Sequence, residues 1–435
     1  KVNMFKQIHV TQEILAPGQL LTHIHTHPSD QFRLSGEVGF QSPYSFVKGA
    51  LGVHNVSGNL DAVTLAVHMD TANLWPKEDY VWGVDATWTL PQFLLPLSAA
   101  QHRCSLKADP TTKVEAGINI ATRPEYVQHT YKGLWSYTWR GWGHGDYVFV
   151  PVRINVIDTR QISADFRQHL QALRRQGSNL YRAFEKPSWV TCSALKATFS
   201  RAATATDRSQ RALVIAAESA GLSQTLLDLR RVSARFEYFQ YVRLDLDYSQ
   251  CIPVGRHTTL AYRANTGIAA AYGPNKLLPY DRYYFAGGAR SVRAWQARSL
   301  GPGTHGGHFS SRNEEKKLEQ PGELLLQGSV ELRQQLTSLL EGAAFIDVGN
   351  VWMLQRGPLE SQFDPQQFYR DMAVGTGMGL RLNLQFLILR FDVGLKLYDP
   401  AYPRGQRMLL HKLAAHDDLH LKDQITYHLD IGYPF

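Results

Sequence analysis

Apolar and polar residues alternate strictly along much of this chain. In the segment 386–398 every odd-numbered position is apolar, whereas Arg390, Asp392 and Lys396 occupy even-numbered positions. The same period of two recurs in three further segments, at 80–90, 324–336 and 374–384. Because successive side chains of a strand point to opposite faces of its sheet, the pattern predicts strands with one apolar and one polar face.

The length of these segments separates two kinds of β protein, since a soluble sandwich shows the same alternation. The segments run for about 10 to 14 residues, which is longer than the usual strands of globular sheets and suits tilted spans of a bilayer. Aromatic residues near the segment ends are placed to form two interfacial girdles: Trp82, Trp88, Trp135, Trp139, Trp352, Tyr398 and Phe435. The pattern therefore favours a membrane barrel over the alternative, a soluble sandwich.

The candidate strands number about sixteen, and an even number closes an antiparallel barrel with both chain ends on one side. We therefore predict an all-β fold, a 16-stranded antiparallel transmembrane β-barrel with an inward-folded plug loop. The barrel is assigned to 31–435, its plug loop to 273–322, and residues 1–30 to an N-terminal extension or linker. Short connections alternate with long ones, and the segment 163–186 within a long connection has the apolar spacing of a short helix.

The composition argues against a nucleic-acid partner. Lys and Arg number 46 against 38 Asp and Glu, for a formal net charge of +8, but the basic residues are dispersed rather than clustered. No segment offers the roughly 18 consecutive apolar residues of a transmembrane helix. Cys104, Cys192 and Cys251 lie far apart, without metal-ligand spacing, and an odd count argues against a disulfide framework.

Three histidines form the pattern that comes closest to a metal site. His23, His25 and His27 project to one side of an extended segment, and imidazoles at that spacing can bind a transition metal. No Cys, Asp or Glu is tied to them in the sequence. We therefore assign no metal and no cofactor, and leave open whether these histidines bind a metal.

The motifs that approach enzyme sequences have structural explanations. The glycines of "GTGMG" (375–379) alternate with apolar residues inside one strand, whereas a phosphate-binding loop lies between a strand and a helix. Asp245 and Asp247 share a strand face with Arg243, which favours a ladder of interior charges over a catalytic carboxylate pair. No G-x-S-x-G nucleophile motif occurs. We therefore expect that the protein is not an enzyme.

The stretch "FAGGARSVRAWQARSLGPG" (285–303) concentrates glycine and arginine between two predicted strands. Arg293 follows a glycine turn, and the polar faces of the next two strands offer Glu331 and Asp347. A guanidinium inside the barrel, in its lumen, needs a carboxylate partner because an unpaired buried charge costs several kcal/mol. We therefore predict that this loop folds back into the lumen and is held there by Arg293.

Six sequence blocks carry a resemblance to a known family. They are "TWTLPQFLLP" (87–96), "YDRYYFAGGARSVRAWQARSLGPG" (280–303), "GELLLQGSVELR" (322–333), "GAAFIDVGNVW" (342–352), "LRFDVGLKLYDP" (389–400) and "DIGYPF" (430–435). In these blocks, and from about Phe32 to Phe435, the chain resembles the BamA/TamA family of outer-membrane assembly barrels. The resemblance is closer to the TamA-like branch found in Bacteroidetes.

The resemblance implies roles for the loop residues. Such barrels place the arginine of a V-R-G-aromatic loop tip against acidic residues of strands twelve and thirteen, which here maps the tip onto Val292, Arg293, Ala294 and Trp295. Glu331 and Asp347 are the implied lumen acceptors. Ala294 stands where the family has glycine, so a tip that needs a positive φ there would be strained or differently wound.

The resemblance also implies a seam between the first and last strands that opens sideways to pair with a client strand. In the first strand Gly36 and Gly39 weaken the edge, and at the last strand Tyr433, Pro434 and Phe435 supply the seam and the C-terminal assembly signal. Pro434 cannot donate a ladder hydrogen bond.

The implied function is that of an assembly or translocation factor in the outer membrane of a Gram-negative bacterium. Expected partners are nascent outer-membrane proteins, outer-membrane lipids and lipopolysaccharide, and TamB-like or other periplasmic assembly proteins. Family members carry periplasmic POTRA domains, which residues 1–30 cannot hold, so these domains are expected to be cut away, disordered or absent. The alternative is a structural or pore-forming barrel without insertase activity, and an outer-membrane hydrolase is disfavoured.

Overall fold

The fold is taken from a computed structural model of the chain. It describes residues 5–16, 19–28, 31–41, 44–58, 60–71, 80–94, 109–123, 125–175, 184, 186–202, 209–221, 236–272, 278–304, 320–354, 361–384, 387–409 and 424–434.

The first two strands form a separate hairpin ahead of the barrel. β1 (Phe5–Ala16) pairs antiparallel with β2 (Gln19–Pro28) in a two-stranded sheet of their own. The extension predicted at 1–30 therefore contains regular structure that the sequence pattern did not indicate. Among the side chains that the structure describes, which do not include those of β1 and β2, no group of three or more His, Cys, Asp or Glu is arranged to hold a metal ion.

The barrel is built from the strands that follow. They are β3 (Phe32–Gln41), β4 (Tyr44–His54), β5 (Ala62–Thr71), β6 (Tyr80–Leu90), β7 (Thr111–Thr122), β8 (Tyr126–Arg140), β9 (Asp146–Ile162), β10 (Ser188–Arg201), β11 (Gln210–Ala220), β12 (Glu237–Tyr238), β13 (Tyr241–Pro253), β14 (Thr258–Ala271), β15 (Leu324–Gln335), β16 (Leu340–Trp352), β17 (Ala373–Asn383), β18 (Ile388–Tyr398) and β19 (Ile425–Ile431). These are seventeen strands among the described residues, and β12 has only two residues, so sixteen are long. The predicted all-β antiparallel fold is confirmed.

Neighbouring long strands pair antiparallel in chain order, and the strand order is cyclic, with β19 next to β3. Long registers of paired residues join consecutive strands, for example β14 with β15 and β15 with β16. The contact between β19 and β3 is much shorter than that between any other consecutive long strands. We call this β3–β19 junction the seam.

The alternation read from the sequence appears as alternating exposure in the barrel wall. Val330 and Leu332 of β15 are 51% and 47% exposed on the outer face, whereas Glu331 and Arg333, which alternate with them, are buried in the lumen. On β17, Met378 is 73% exposed while Arg381 is buried. One residue set therefore faces outward and apolar, and the other supplies lumen charges.

One helix and three short 3₁₀ turns complete the described elements. The turns are Trp142–His144, Tyr280–Arg282 and Phe368–Arg370. α1 (Ala164–Arg175) confirms the helix predicted within 163–186. The centroid of its Phe166 ring lies 5.7 Å from that of Tyr126 and 5.2 Å from that of Phe184. The apolar face of the helix therefore packs against the start of β8. No helix in the described ranges is long and apolar enough to cross a membrane.

The main apolar core lies inside the barrel, where the segment 278–304 meets the inward faces of the later strands. Trp352, the last residue of β16, has no exposed surface, so its predicted place in an interfacial girdle is wrong. Its ring packs on Phe363, which follows β16 in the chain, at 5.6 Å between ring centroids. A ring that a later segment of the chain covers does not face the membrane interface, and an alternation pattern does not show such cover.

Candidate functional site

The segment 278–304, which we call the plug segment, lies within the barrel. Leu278, Ala286, Val292 and Ala294 have no exposed surface, and Leu300 is 3% exposed. Within the described chain, its backbone forms β-pairing only as isolated bridges, such as that between Ala286 and Leu300. A segment with so little secondary structure of its own is therefore held mainly by side chains of the wall.

The plug tip, residues 292–295, is a tight turn supported by two glycines. The Trp295 N–H donates to the Val292 carbonyl at 3.1 Å, and the Gly288 N–H donates to the Trp295 carbonyl at 3.0 Å. Gly287 has φ of 97°, and a Cβ atom there would lie 2.3 Å from the Gln296 carbonyl oxygen. Only glycine suits that position, so the glycine turn read from the sequence is needed for the fold-back.

Arg293 meets both of the carboxylates that the sequence pointed to. Its Nε and Nη2 atoms each lie 2.8 Å from the two oxygens of Asp347, a bidentate contact, and Nη1 lies 2.5 Å from Glu331. Nη2 also donates to the Ser329 hydroxyl at 3.1 Å. The guanidinium stacks over the Phe345 ring with 3.4 Å to its centroid. The structure thus brings the three predicted residues together.

The environment of Arg293 keeps its guanidinium charged although its side chain is only 1% exposed. Burial on its own lowers the pKa of Arg293, but the hydrogen bond to Asp347 and the charges of Asp347 and Glu331 raise the pKa above its ordinary value. A buried charge is tolerated where charged hydrogen bonds compensate for lost solvent.

The wall around Arg293 carries further charges that the sequence did not connect to the plug. Glu331 also accepts from Arg333 at 2.7 Å and from Arg381 at 3.0 Å. Asp392 lies 2.8 Å from Arg381 and 2.9 Å from Arg390. The alternation had placed these side chains on inward faces, and only the strand register shows that they form one network.

Ala294 fits the tip without a left-handed backbone. It is not among the residues with positive φ, and it has no exposed surface. Its methyl group faces Gly375, where an added Cβ would come within 2.5 Å of it. Gly394 receives the tip backbone, since a Cβ there would lie 2.4 Å from the Arg293 carbonyl oxygen. The strain that a positive φ at Ala294 would have caused is therefore absent. Gly375 and Gly394 of the wall leave the space that the tip occupies.

A second group of contacts holds the start of the plug segment, and sequence reasoning missed it. Arg282 donates to Glu218 at 2.6 Å, and Arg153 donates to the other oxygen of Glu218 at 2.8 Å. The Tyr284 hydroxyl donates to Asp245 at 2.8 Å. The wall residues of this group come from β9, β11 and β13, and no local motif links them to Arg282 or Tyr284.

The charge ladder predicted for β13 is present. Asp247 makes a bidentate contact with Arg263 of β14, at 2.8 and 2.6 Å, and Asp245 lies 3.1 Å from Arg243. Both carboxylates are therefore paired with arginine in the lumen wall. This agrees with the interior-ladder interpretation.

The predicted seam residues of β3 lie on an open strand. Gly36 pairs with Gly49 of β4, and neither position has an atom within 4 Å of an added Cβ. Gly39 pairs with Phe46. The first strand therefore has little side-chain support at its middle.

The chain end does not continue the last strand as predicted. β19 ends at Ile431, and Gly432, with φ of 83°, turns the chain into the lumen. There the Tyr433 ring lies 4.3 Å from the Arg333 guanidinium, and Pro434 is buried against the cavity that Arg293 lines. The assignment of Pro434 to the last strand is therefore wrong. Phe435 lies outside the described residues.

The comparisons with known proteins agree with this architecture. Residues 224–418 match the Omp85 superfamily domain. The outer membrane protein assembly factor BamA of Neisseria meningitidis serogroup B is 31% identical over 117 residues, which cover 26% of this chain and 14% of that protein. The chain therefore spans a small part of the length of this curated relative.

Two solved structures are similar to the whole chain. BamA from Haemophilus ducreyi lacking POTRA domains 1–3 has a TM-score of 0.65 at 11% identity, covering 99% of this chain and 76% of that one. CdiB from Acinetobacter baumannii has a TM-score of 0.48 at 12% identity, covering 98% and 64% of the two chains. The first likeness shows the fold, and the second is too distant to carry an argument.

Proposed function

We propose that this chain is an integral outer-membrane assembly factor of the BamA/TamA type, because residues 224–418 match the Omp85 superfamily domain, 117 residues are 31% identical to a BamA, and the fold is similar to that of a BamA barrel. In this proposal it inserts or exports client proteins in a Gram-negative envelope, without covalent catalysis. The narrower placement in the TamA-like branch of Bacteroidetes stays a prediction.

The outer face of the wall supports a membrane location. Large apolar side chains on alternate positions are exposed around the barrel, including Leu34 at 84%, Met378 at 73% and Tyr427 at 65%. Apolar surface on this scale is unfavourable in water and favourable against lipid tails. Outer-membrane lipids and lipopolysaccharide are thus the proposed surroundings of this face.

The seam is the observation that carries the proposed mechanism. An incompletely paired strand edge presents N–H and C=O groups that a client strand can satisfy by β-augmentation. Every other consecutive pair of long strands has extensive contact, while β3 and β19 meet only briefly. A client strand pairing at this edge would be templated by the barrel and released sideways into the lipid.

The plug segment supports an assembly role over a passive pore. Arg293, Glu331 and Asp347 hold the segment inside the lumen, where it occupies the space beside β13–β19. A conducting channel needs an unobstructed water path, which an anchored segment reduces. The proposed clients are nascent outer-membrane proteins, and a TamB-like or other periplasmic protein is proposed to deliver them.

Reconstitution tests the proposal. The full chain in liposomes of phosphatidylethanolamine and phosphatidylglycerol should speed the folding of a urea-denatured eight-stranded outer-membrane barrel several-fold, on the order of the gain expected from an edge template. The readouts are the heat-modifiable gel shift and protease protection of that client. Arg293→Ala should lose most of the gain, and Arg256→Ala, at an exposed turn residue, should keep it.

Two results would point away from assembly. Folding no faster than in protein-free liposomes would contradict the proposal. Steady, large conductance of the wild-type protein in planar bilayers, together with no effect on folding, would favour the structural or pore-forming barrel.

A further inference from the structure

The two strands of the seam differ in what covers their lumen-facing side chains. On β19, His428 and Asp430 are buried under the plug segment at 7% and 1% exposure. On β3, the lumen-facing Arg33, Ser35 and Glu37 are all exposed. Among the described side chains of the seam, which for β3 are those of residues 32–37, the plug segment therefore covers only those of β19.

We infer that the plug tip braces β19 through Thr426 and His428, which makes these two residues positioning residues of the seam and β19 its fixed edge. The inference deepens the proposed function, on which its significance for assembly rests. Nothing in the sequence motifs marked either residue, because each is an ordinary inward position of the last strand.

The brace consists of two hydrogen bonds to backbone carbonyls of the tip. The Thr426 hydroxyl donates to the Ala294 carbonyl oxygen at 3.0 Å. His428 Nε2 lies 2.9 Å from the Arg293 carbonyl oxygen, and since a carbonyl only accepts, that nitrogen must carry the proton. Adjacent residues of the tip thus bind alternate residues of one strand, which matches the period of two along β19.

Arg293 connects the brace to β15 and β16 of the barrel wall. Its carbonyl accepts from β19, while its guanidinium is bound to Glu331 of β15 and Asp347 of β16. One residue therefore links the seam strand to two strands three and four places away in the barrel order. Movement of β19 outward has to break the tip contacts or pull the tip from its buried carboxylates.

Further contacts hold the end of β19 on the same side. Asp430 accepts from Arg390 at 2.8 Å, and Arg390 also donates to the Ala289 carbonyl of the plug segment at 2.9 Å. Arg290 of the plug segment lies 3.4 Å from Asp430. The C-terminal part of β19 therefore contacts the plug segment directly through Arg290 and indirectly through Arg390 of β18.

Amide hydrogen exchange of the full chain in lipid nanodiscs tests the brace. In a Thr426→Val, His428→Leu double variant, exchange of β19 amides should rise about tenfold relative to wild type, while β3 amides stay unchanged. Because coupling is reciprocal, Arg293→Ala should raise β19 exchange in the same direction.

Conservative and outward-facing variants separate positioning from general damage. Thr426→Ser with His428→Gln keeps both donors and should exchange like wild type, as should Tyr427→Phe on the outer face of β19. If the double variant does not give a heat-modifiable folded band, Thr426→Val alone should raise β19 exchange about threefold.

Unchanged β19 exchange in both the Thr426→Val, His428→Leu variant and Arg293→Ala would overturn the inference. An equal rise at β3 and β19 would also overturn it, because the edges would then respond alike. The exchange measurement needs no client, so its outcome is independent of the liposome folding experiment. Either experiment can contradict its own hypothesis without affecting the other.

Discussion

The methyl group of Ala294 at the plug tip lies against Gly375 in the barrel wall. A Cβ atom on Gly375 would come within 2.5 Å of the Ala294 Cβ, so the two positions share one small space. The tip residue, which stands where the resembled family has glycine, is therefore accommodated by a glycine on the facing strand. The size of one residue fixes the size that the other can have.

Replacing Gly375 by Ala should overpack this contact. We expect the free energy of unfolding to fall by about 1–3 kcal/mol, because neither the wall nor the anchored tip can move freely. The Ala294→Gly, Gly375→Ala double variant should recover most of the loss. Guanidinium unfolding followed by tryptophan fluorescence measures both, and a double variant no more stable than Gly375→Ala alone would show that the contact does not limit the site.

Replacing Arg293 by Ala should destabilise the barrel more than any exposed substitution. Glu331 and Asp347 would lose a buried partner, at a cost of about 3–5 kcal/mol. Arg293→Lys should recover only part, since an ammonium cannot make the bidentate contact with Asp347. Unfolding midpoints of the two variants test the order, and equal midpoints for Arg293→Ala and the exposed Arg256→Ala would refute it.

Replacing Glu218 by Gln should loosen the start of the plug segment. The amide retains the shape but removes the negative charge that Arg153 and Arg282 share, so we expect a loss of about 1–3 kcal/mol in the free energy of unfolding. Limited proteolysis should then cleave the plug segment near Arg282 sooner than in wild type. Cleavage at the wild-type rate would mean that the charge of Glu218 does not hold the start of the segment.

Asp61, in the turn between β4 and β5, should make part of the stability depend on pH. Burial raises the pKa of Asp61, but hydrogen bonds from Ser57 and from the Trp88 indole, at 2.9 and 2.8 Å, outweigh it and lower the pKa below its ordinary value. A lowered folded-state pKa gives stability that is present above the unfolded pKa and lost as pH falls through the folded one.

The Asp61→Asn variant should therefore show a flatter decline in stability than wild type as the pH falls below about 5. Thermal unfolding at a series of pH values measures the slope. Parallel declines in the two proteins would show that Asp61 contributes nothing to it.

The strands could be predicted because their pattern is local. The Arg293 contact could be predicted because a buried charge requires a partner of opposite charge. Alternation with a period of two is visible in any single segment, such as 386–398, and needs no knowledge of neighbours. The pairing of Arg293 with Glu331 and Asp347 followed from the need of a buried guanidinium for carboxylates, supported by the family resemblance.

The remaining features depend on strand register and on backbone conformation. Glu218 and Arg282 come together only because β11 lies beside the path of the plug segment, and Thr426 reaches the tip only through the order of β18 and β19. The inward turn at Gly432 rests on one φ angle, and a glycine near a chain end is compatible with many conformations.

Photo-crosslinking of a client during assembly tests most directly whether the seam templates client strands. A photoreactive amino acid at Leu34 of β3, at Leu429 of β19, or at Leu332 of β15 as a control places an outward-facing probe at the seam or away from it. If the seam templates clients, a folding outer-membrane barrel should crosslink strongly at Leu34 and Leu429 and weakly at Leu332. Equal crosslinking at all three positions, or none at the seam, would contradict the account.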